Sequence, residues 1–140
     1  MAEPSTDAPE TPVRSILQVF YAVHCKACGA ELPVLAKVRE DDAVDLVIIV
    51  LGDRDKAYAA LKQASPRLVE IATAASAREE QDVLRAAGNA TGKLPYARTL
   101  LSTGLVCQTW DGGLTTGVLD RMLESCRLKS EGLSGKPTTK

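Results

Sequence analysis

Apolar residues in this chain occur in short runs whose periodicity changes along the sequence. Residues 16–22 and 44–51 are almost continuously apolar and rich in β-branched or aromatic side chains, which predicts two buried strands. Asp-Asp and Gly-Asp pairs bound the second run, as is typical of a central strand covered on both faces. Residues 96–101 and 105–110 predict two further strands, joined by Ser102-Thr103-Gly104 as a hairpin with glycine in its turn.

Helical patterns lie between the strands in the first half of the chain. From Cys25 to about Glu40 the apolar positions fall mostly on one side, and Pro33 inside this helix predicts a kink. Asp53 is expected to cap a second helix that runs to about Ala64. Ser65-Pro66 should end that helix, and residues 68–72 then predict a short additional strand.

The second half of the chain predicts two more helices. Residues 76–79 form a capping-box pattern that opens a helix ending at Gly88-Asn89. Thr115 or Thr116 is expected to cap the last helix, in which apolar residues recur at i, i+3, i+4 and i+7: Leu119, Met122, Leu123 and Cys126. The complete order predicts an α/β sandwich whose sheet is parallel in one half and ends in a C-terminal antiparallel hairpin.

The composition fits one folded domain with a tail at each end. The chain has 140 residues, of which 45% are apolar and 25% charged, a globular balance. Residues 1–13 hold three prolines, three acids and no Lys or Arg, which predicts a disordered arm. Residues 129–140 are rich in glycine and polar residues and predict a flexible tail. The domain is therefore expected to span residues 14–128.

Charge and hydropathy exclude two classes of function. A net charge of −1 and an aromatic content of 4% are unlike those of a nucleic-acid-binding protein. The longest apolar run, residues 46–51, is far shorter than the ~20 residues of a membrane-spanning helix. The first residues carry neither a basic nor an apolar stretch, so no signal peptide is predicted within the chain.

The most informative feature is Cys25-Lys26-Ala27-Cys28, which directly follows the first buried strand. A thiol at a helix start faces free backbone N–H groups, which lower its pKa from ~8.5 and favour the nucleophilic thiolate. The second thiol, one turn further along, can attack the mixed disulfide that forms. His24 and Lys26 flank Cys25, and both favour a thiolate there. The spacing therefore predicts thiol-disulfide chemistry.

A metal site is the alternative interpretation of the same cysteines. Cys-x-x-Cys-Gly also resembles half of a zinc ribbon, so a binding module could hold zinc or copper through Cys25 and Cys28. A structural zinc site needs four ligands, whereas His24 is the one histidine and Cys107 and Cys126 have 18 residues between them. Those two cysteines are predicted to be buried apolar thiols. A second disulfide between them stays open.

The segment from Phe20 to Pro33 resembles the active-site region of the TlpA/ResA-like thiol-disulfide oxidoreductases, which have the thioredoxin fold. In that group an aromatic strand leads into the CxxC, and an acid and a proline follow three and five residues after the second cysteine. Glu31 and Pro33 hold those positions here. Residues 92–96 and 99–106 resemble the family's cis-proline loop and the following hairpin. The resemblance covers about residues 14–128.

The resemblance implies a thioredoxin-like three-layer α/β/α sandwich, with a mixed sheet, a C-terminal β-hairpin and a final helix. It implies an enzyme without a cofactor, in which Cys25 attacks a substrate disulfide and Cys28 resolves the product. Glu31 would accept the proton of Cys28. The alternative for Glu31 is an acid on the exposed face of a helix.

The resemblance also assigns the residues that face the substrate. Pro95 is expected to be the cis-proline, and Leu94 before it would offer backbone groups to an extended substrate. His24 is expected either to activate Cys25 or to fill the place of a tryptophan. Three positions depart from the family pattern: His24 replaces tryptophan, Ala27 replaces proline and Leu94 replaces threonine.

The setting implied by the resemblance is the periplasm or another extracytoplasmic compartment. A membrane anchor would belong to a full-length form. The expected partners are a protein that carries a dithiol or disulfide and a redox partner protein. The chain is expected to act as a monomer.

Overall fold

The buried runs of the sequence form one sheet, and the amphipathic segments pack against it. The computed structural model describes residues 14–38, 44–75, 80–89 and 91–133. In chain order its elements are β1 (Ser15–Ala22), α1 (Lys26–Ala30), α2 (Leu32–Ala36), β2 (Val44–Leu51), α3 (Arg54–Ala64), α4 (Pro66–Glu70), β3 (Ala72–Ala74), α5 (Glu80–Ala86), β4 (Tyr96–Leu101), β5 (Val106–Asp111) and α6 (Thr116–Leu133).

The sheet is mixed, with strand order β3-β2-β1-β4-β5. β1 and β2 are parallel, and their register runs from Ser15 beside Val44 to Ala22 beside Leu51. β3 is parallel to β2, whereas β4 is antiparallel to β1 and to β5. The prediction of a half-parallel sheet that ends in an antiparallel hairpin is confirmed.

The alternation of side chains along β1 divides the core into two clusters. Leu17, Val19 and Tyr21 belong to the cluster that also contains buried residues of α1, α2, α3, α4 and α6. Phe20 and Ala22 belong to the second cluster, which buries Leu84 of α5. Successive residues of a strand point to opposite faces, so helices cover both faces of the sheet. This is the predicted three-layer α/β/α arrangement.

The predicted kink at Pro33 is a break between two short helices. α1 ends before Glu31, whose N–H donates to the Cys28 carbonyl at 3.1 Å. Pro33 lies in the first turn of α2, where its missing N–H leaves no helical hydrogen bond unmade. Residues 39 and 40, the predicted end of this helix, lie outside the described residues.

The prediction of a strand over residues 68–72 is wrong. Pro66 starts helix α4 there, and Leu68 is fully buried on it. The additional strand does exist, but it begins at Ala72, where β3 pairs with residues 48–50 of β2. A short apolar run fits a buried helix as well as a strand, and the proline at the first helical position decides between them.

The two ends of the chain bear on the predicted domain limits. α6 continues to Leu133, past residue 128 where the predicted domain ends. The predicted arm over residues 1–13, the capping box at 76–79 and residues 134–140 lie outside the described part of the chain. Among the described helices, none is both long and apolar enough to cross a membrane.

Candidate active site

The CxxC segment begins where the central strand β1 ends. The Cys25 N–H donates to the Ala22 carbonyl at 3.0 Å, which turns the chain from the strand into α1. Cys25 is the N-cap of α1, and its Sγ accepts a hydrogen bond from the Cys28 N–H at 3.1 Å. Cys25 and Cys28 form a disulfide. A sulfur in this position takes the place of a capping oxygen and faces the positive end of the helix.

The two sulfur-bearing residues differ in their access to solvent. Cys25 is half-buried, and His24, Lys26 and Ala27 around it are exposed. Cys28 is 1% exposed, and its Sγ lies 3.9 Å from the Phe20 carbonyl oxygen. In the dithiol form that oxygen is an acceptor for the Cys28 thiol. The pair therefore has one accessible and one enclosed sulfur.

Glu31 lies at the break between α1 and α2, three residues after Cys28. It is 3% exposed, so the alternative of an acid on an exposed helix face is wrong. Its Oε2 accepts a hydrogen bond from the Leu114 N–H at 2.8 Å. Burial raises the pKa of the Glu31 carboxyl to about 7, and the Leu114 hydrogen bond opposes that increase. A carboxyl in this state takes up or releases a proton near neutral pH.

The Leu94–Pro95 peptide bond is cis, as the sequence predicts. The β1–β4 ladder ends where Phe20 pairs with Tyr96, two residues before Ala22 ends β1 and two residues after Leu94. Leu94 is half-buried and packs against both core clusters, as Cys25 does. The predicted substrate-facing residues Leu94 and Pro95 therefore lie at the same end of the inner strands β1 and β4 as Cys25.

The segment between β5 and α6 supplies contacts that the sequence did not reveal. The Gly112 N–H donates to the Pro95 carbonyl at 3.0 Å, and Leu114 provides the amide for Glu31. In both contacts this segment contributes a backbone N–H group, which does not depend on the type of residue. The sequence therefore offered no means of finding them.

Cys107 and Cys126 form a second disulfide, so the prediction of two buried thiols is wrong. The register of β4 and β5 shifts between Thr99 and Leu100, which pair with Gln108 and Val106. Cys107 is the additional residue of this bulge. A bulge re-aims one side chain, and here it allows a residue of β5 to reach α6. The Ser125 hydroxyl donates to the Cys107 carbonyl at 3.1 Å.

The metal alternative finds no ligand set in the described residues. Among them, no three His, Cys, Asp or Glu side chains converge as ligands of one ion. Cys107 and Cys126 are joined to each other and not to Cys25. A four-cysteine zinc site is therefore not formed.

Comparison with known proteins identifies the fold. No family model matches the sequence, and no curated protein does. The structure is similar to that of a thioredoxin-related protein from Neisseria meningitidis serogroup B, with a TM-score of 0.70 and 20% identity over 86% of this chain and 90% of that chain. StoA from Bacillus subtilis matches with a TM-score of 0.60 and 18% identity, over 81% of this chain and 84% of that one.

A third similar structure is a secreted Mycobacterium tuberculosis disulfide oxidoreductase homologous to E. coli DsbE. It matches with a TM-score of 0.59 and 14% identity, over 80% of this chain and 81% of that chain. These similarities show that the chain has a thioredoxin-like fold, which confirms the predicted fold class.

Proposed function

We propose that this chain is a thiol-disulfide oxidoreductase that works through Cys25 and Cys28. The observation that carries the proposal is that the two cysteines of this disulfide, which follows the C-terminal end of β1, differ in their exposure to solvent. Cys25 is accessible and caps a helix, whereas Cys28 is enclosed one turn further on. That arrangement gives an attacking and a resolving sulfur. The thioredoxin-like fold supports it, and one of the similar structures is that of a disulfide oxidoreductase.

The reaction consists of two successive thiol–disulfide exchange steps. In the reducing direction the Cys25 thiolate attacks one sulfur of a substrate disulfide, and a Cys25–substrate disulfide forms as the substrate's own S–S bond breaks. The Cys28 thiolate then attacks the Cys25 sulfur, which closes the Cys25–Cys28 disulfide and releases the second substrate thiol. The substrate gains two electrons and two protons, which the dithiol loses. Oxidation of a substrate dithiol is the reverse sequence.

Glu31 is proposed to accept the proton of Cys28 before the second step. The attacking sulfur must be a thiolate, but burial disfavours a thiolate at Cys28. A nearby group that changes protonation near pH 7 is suited to this transfer. Glu31 lies one helical turn from Cys28 and is enclosed with it, which supports the assignment.

Leu94 and Pro95 are proposed to hold the substrate beside Cys25, in a backbone pairing like that of an added strand. His24 is proposed to border the substrate, because it is exposed and directly precedes Cys25. The substrate is proposed to be a disulfide or dithiol in a protein, with a second protein restoring the redox state of Cys25 and Cys28.

An extracytoplasmic location is proposed on the basis of the second disulfide. Disulfides that only stabilise a fold persist in oxidising compartments and are rare in the cytosol. Cys107–Cys126 is separate from the Cys25–Cys28 pair and links β5 to α6. One of the similar structures is that of a secreted protein, which supports the same location.

The proposal is tested by exchange with a peptide that contains one intramolecular disulfide. The reduced wild type should open the peptide disulfide, Cys25→Ser should not, and Cys28→Ser should accumulate a covalent mixed disulfide seen by mass spectrometry. A Cys107→Ser/Cys126→Ser variant is the matched control and should exchange at the wild-type rate. A wild type that exchanges in neither direction but binds one zinc ion per dithiol would show a metal-binding module instead.

A further inference from the structure

The side chain of Asn89 is enclosed within the loop that joins α5 to β4. It is 3% exposed, and its three hydrogen bonds to described residues are made within that loop. Its Nδ2 donates to the Lys93 carbonyl at 2.7 Å. Its Oδ1 accepts from the Thr91 hydroxyl at 2.9 Å and from the Gly92 N–H at 3.1 Å. One buried amide therefore organises residues 91–93.

The backbone of Asn89 is itself fixed to the end of α5. The Asn89 N–H donates to the Leu84 carbonyl at 2.8 Å and the Gly88 N–H to the Arg85 carbonyl at 3.0 Å. Gly88 has a φ of +96°, so these bonds form the Schellman ending of a helix. The Tyr96 hydroxyl donates to the Ala87 carbonyl at 2.8 Å and ties this helix end to β4. The backbone of Asn89 is thus fixed relative to α5 and β4, and its side chain holds residues 91–93 of the loop.

The bond to the Lys93 carbonyl has a consequence for Leu94. The Lys93 carbonyl and the Leu94 N–H belong to one planar peptide unit, and in a trans peptide they point in opposite directions. Because Asn89 holds the carbonyl toward the inside of the loop, the Leu94 N–H is directed away from Asn89. Among the described residues the Leu94 N–H and carbonyl have no hydrogen-bond partner. The N–H and carbonyl of Leu94 can therefore form hydrogen bonds with the backbone of an extended peptide, as an added strand would.

We infer that Asn89 is a positioning residue for polypeptide substrates. It fixes the plane of the Lys93–Leu94 peptide, and so it presents the Leu94 backbone to the chain that carries the substrate disulfide. The inference rests on the proposed function and adds to it a residue that positions the protein substrate. Substrates with an extended backbone beside the disulfide depend on Asn89, and small disulfides without a backbone do not.

Asn89→Asp separates this role from folding. The variant is nearly isosteric and keeps an acceptor for Thr91 and Gly92, but it loses the donor to Lys93 and places a carboxylate oxygen opposite that carbonyl. Asn89→Ala removes all three bonds. The matched control is Thr99→Val, because Thr99 is also fully buried and its hydroxyl donates to the Met122 carbonyl at 3.2 Å, away from the loop.

The experiment compares a disulfide peptide with 5,5′-dithiobis(2-nitrobenzoate), a small disulfide that has no peptide backbone. In Asn89→Asp the peptide should lose one or two hydrogen bonds to the Leu94 backbone. Its KM should therefore rise by about tenfold, with kcat nearly unchanged. The second-order rate of Cys25 with the small disulfide should stay within about twofold of wild type. Thr99→Val should match wild type with both compounds.

A second measurement follows the Leu94 amide directly. In the mixed disulfide trapped with Cys28→Ser, hydrogen exchange of the Leu94 N–H should slow by about tenfold or more relative to the free protein. The same slowing should be absent when Asn89→Asp is added to the trapping variant.

The outcomes separate the inference from the proposed function. A wild type that opens neither disulfide overturns the proposed function. A wild type that opens both, with Asn89→Asp equally fast on both, overturns the inference and leaves the function in place. Equal losses on both disulfides in Asn89→Asp also overturn it, because they show a general effect on the fold.

Discussion

Glu31 is the residue whose environment departs most from the ordinary behaviour of its type. Glutamate is almost never fully buried unless it is paired, yet Glu31 is enclosed with one amide donor, the Leu114 N–H. Burial and this hydrogen bond act in opposite directions on its pKa, and burial has the larger effect. The folded protein therefore holds a proton on Glu31 over a pH range in which the unfolded chain releases it.

Glu31→Gln should alter the pH dependence of stability. The pKa of Glu31 rises from its ordinary 4.5 to about 7 on folding. Its carboxyl is protonated in both states below pH 4.5, and it destabilises the fold increasingly as pH rises from 4.5 through 7. Wild type should lose on the order of 3 kcal/mol over this range through Glu31, and Glu31→Gln should lose little. Urea unfolding of the disulfide form at pH 4.5, 6 and 8 measures this.

Glu70→Gln is the control for that measurement, since Glu70 is exposed on α4. Stopped-flow rates of mixed-disulfide resolution give the catalytic counterpart: the wild-type rate should rise through pH 7, and Glu31→Gln should lack that increase. Parallel stability curves for wild type and Glu31→Gln would show that Glu31 titrates as an ordinary acid.

At the scale of elements, short helices at the active site are held in place by other elements. α1 and α2 have five residues each, too few to be stable alone. The Arg67 guanidinium of α4 donates to the carbonyls of Ala36 and Val38, at and just beyond the end of α2. α6 in turn is linked to β5 by Cys107–Cys126. The Arg67 hydrogen bonds and the Cys107–Cys126 disulfide therefore support the helical layer that contains the CxxC.

Replacing Cys107 and Cys126 together by serine should lower stability without altering the chemistry. The disulfide joins residues separated by 19 positions, and closing a loop of this length stabilises a fold by about 3 kcal/mol through the unfolded chain. Urea unfolding under non-reducing conditions measures the loss. Ser125→Ala, which removes only the hydrogen bond to the Cys107 carbonyl, should cost about 1 kcal/mol. A double variant as stable as wild type would show that the link does not constrain the native fold.

At the scale of the whole molecule, the two disulfides lie in different environments. Cys25 is accessible at the edge of the sheet, whereas Cys126 is fully buried between α6 and the sheet. Exchange requires a thiolate to approach a disulfide sulfur. This difference in access predicts that Cys25–Cys28 reacts with external thiols more readily than Cys107–Cys126 does.

Reduction should occur in two separate steps. A mild dithiol reductant applied to the folded protein should open Cys25–Cys28 alone, because its sulfur is within reach. After the reductant is quenched, alkylation in denaturant followed by mass spectrometry should show two adducts per chain, on Cys25 and Cys28. Four adducts should appear only when urea is present during the reduction. Four adducts from the folded protein at low reductant would show that Cys107–Cys126 is also labile.

The features that depend on local pattern could be predicted from the amino-acid sequence. The bounds of β2, Val44–Leu51, match the predicted run because continuous apolar character is a property of adjacent residues. The same holds for the Asp53 cap, whose side chain accepts a hydrogen bond from the Lys56 N–H. The position of the CxxC at a helix start also follows from local order, since the motif directly follows a buried strand.

The features that join distant parts of the chain could not be predicted from local pattern and follow from the tertiary fold. Glu31 is buried and bonded by an amide 83 residues away, and Cys107 reaches Cys126 through a bulge that no local pattern marks. Local sequence sets periodicity and caps, whereas burial, register and backbone contacts depend on which segments meet, and that is a property of the complete fold.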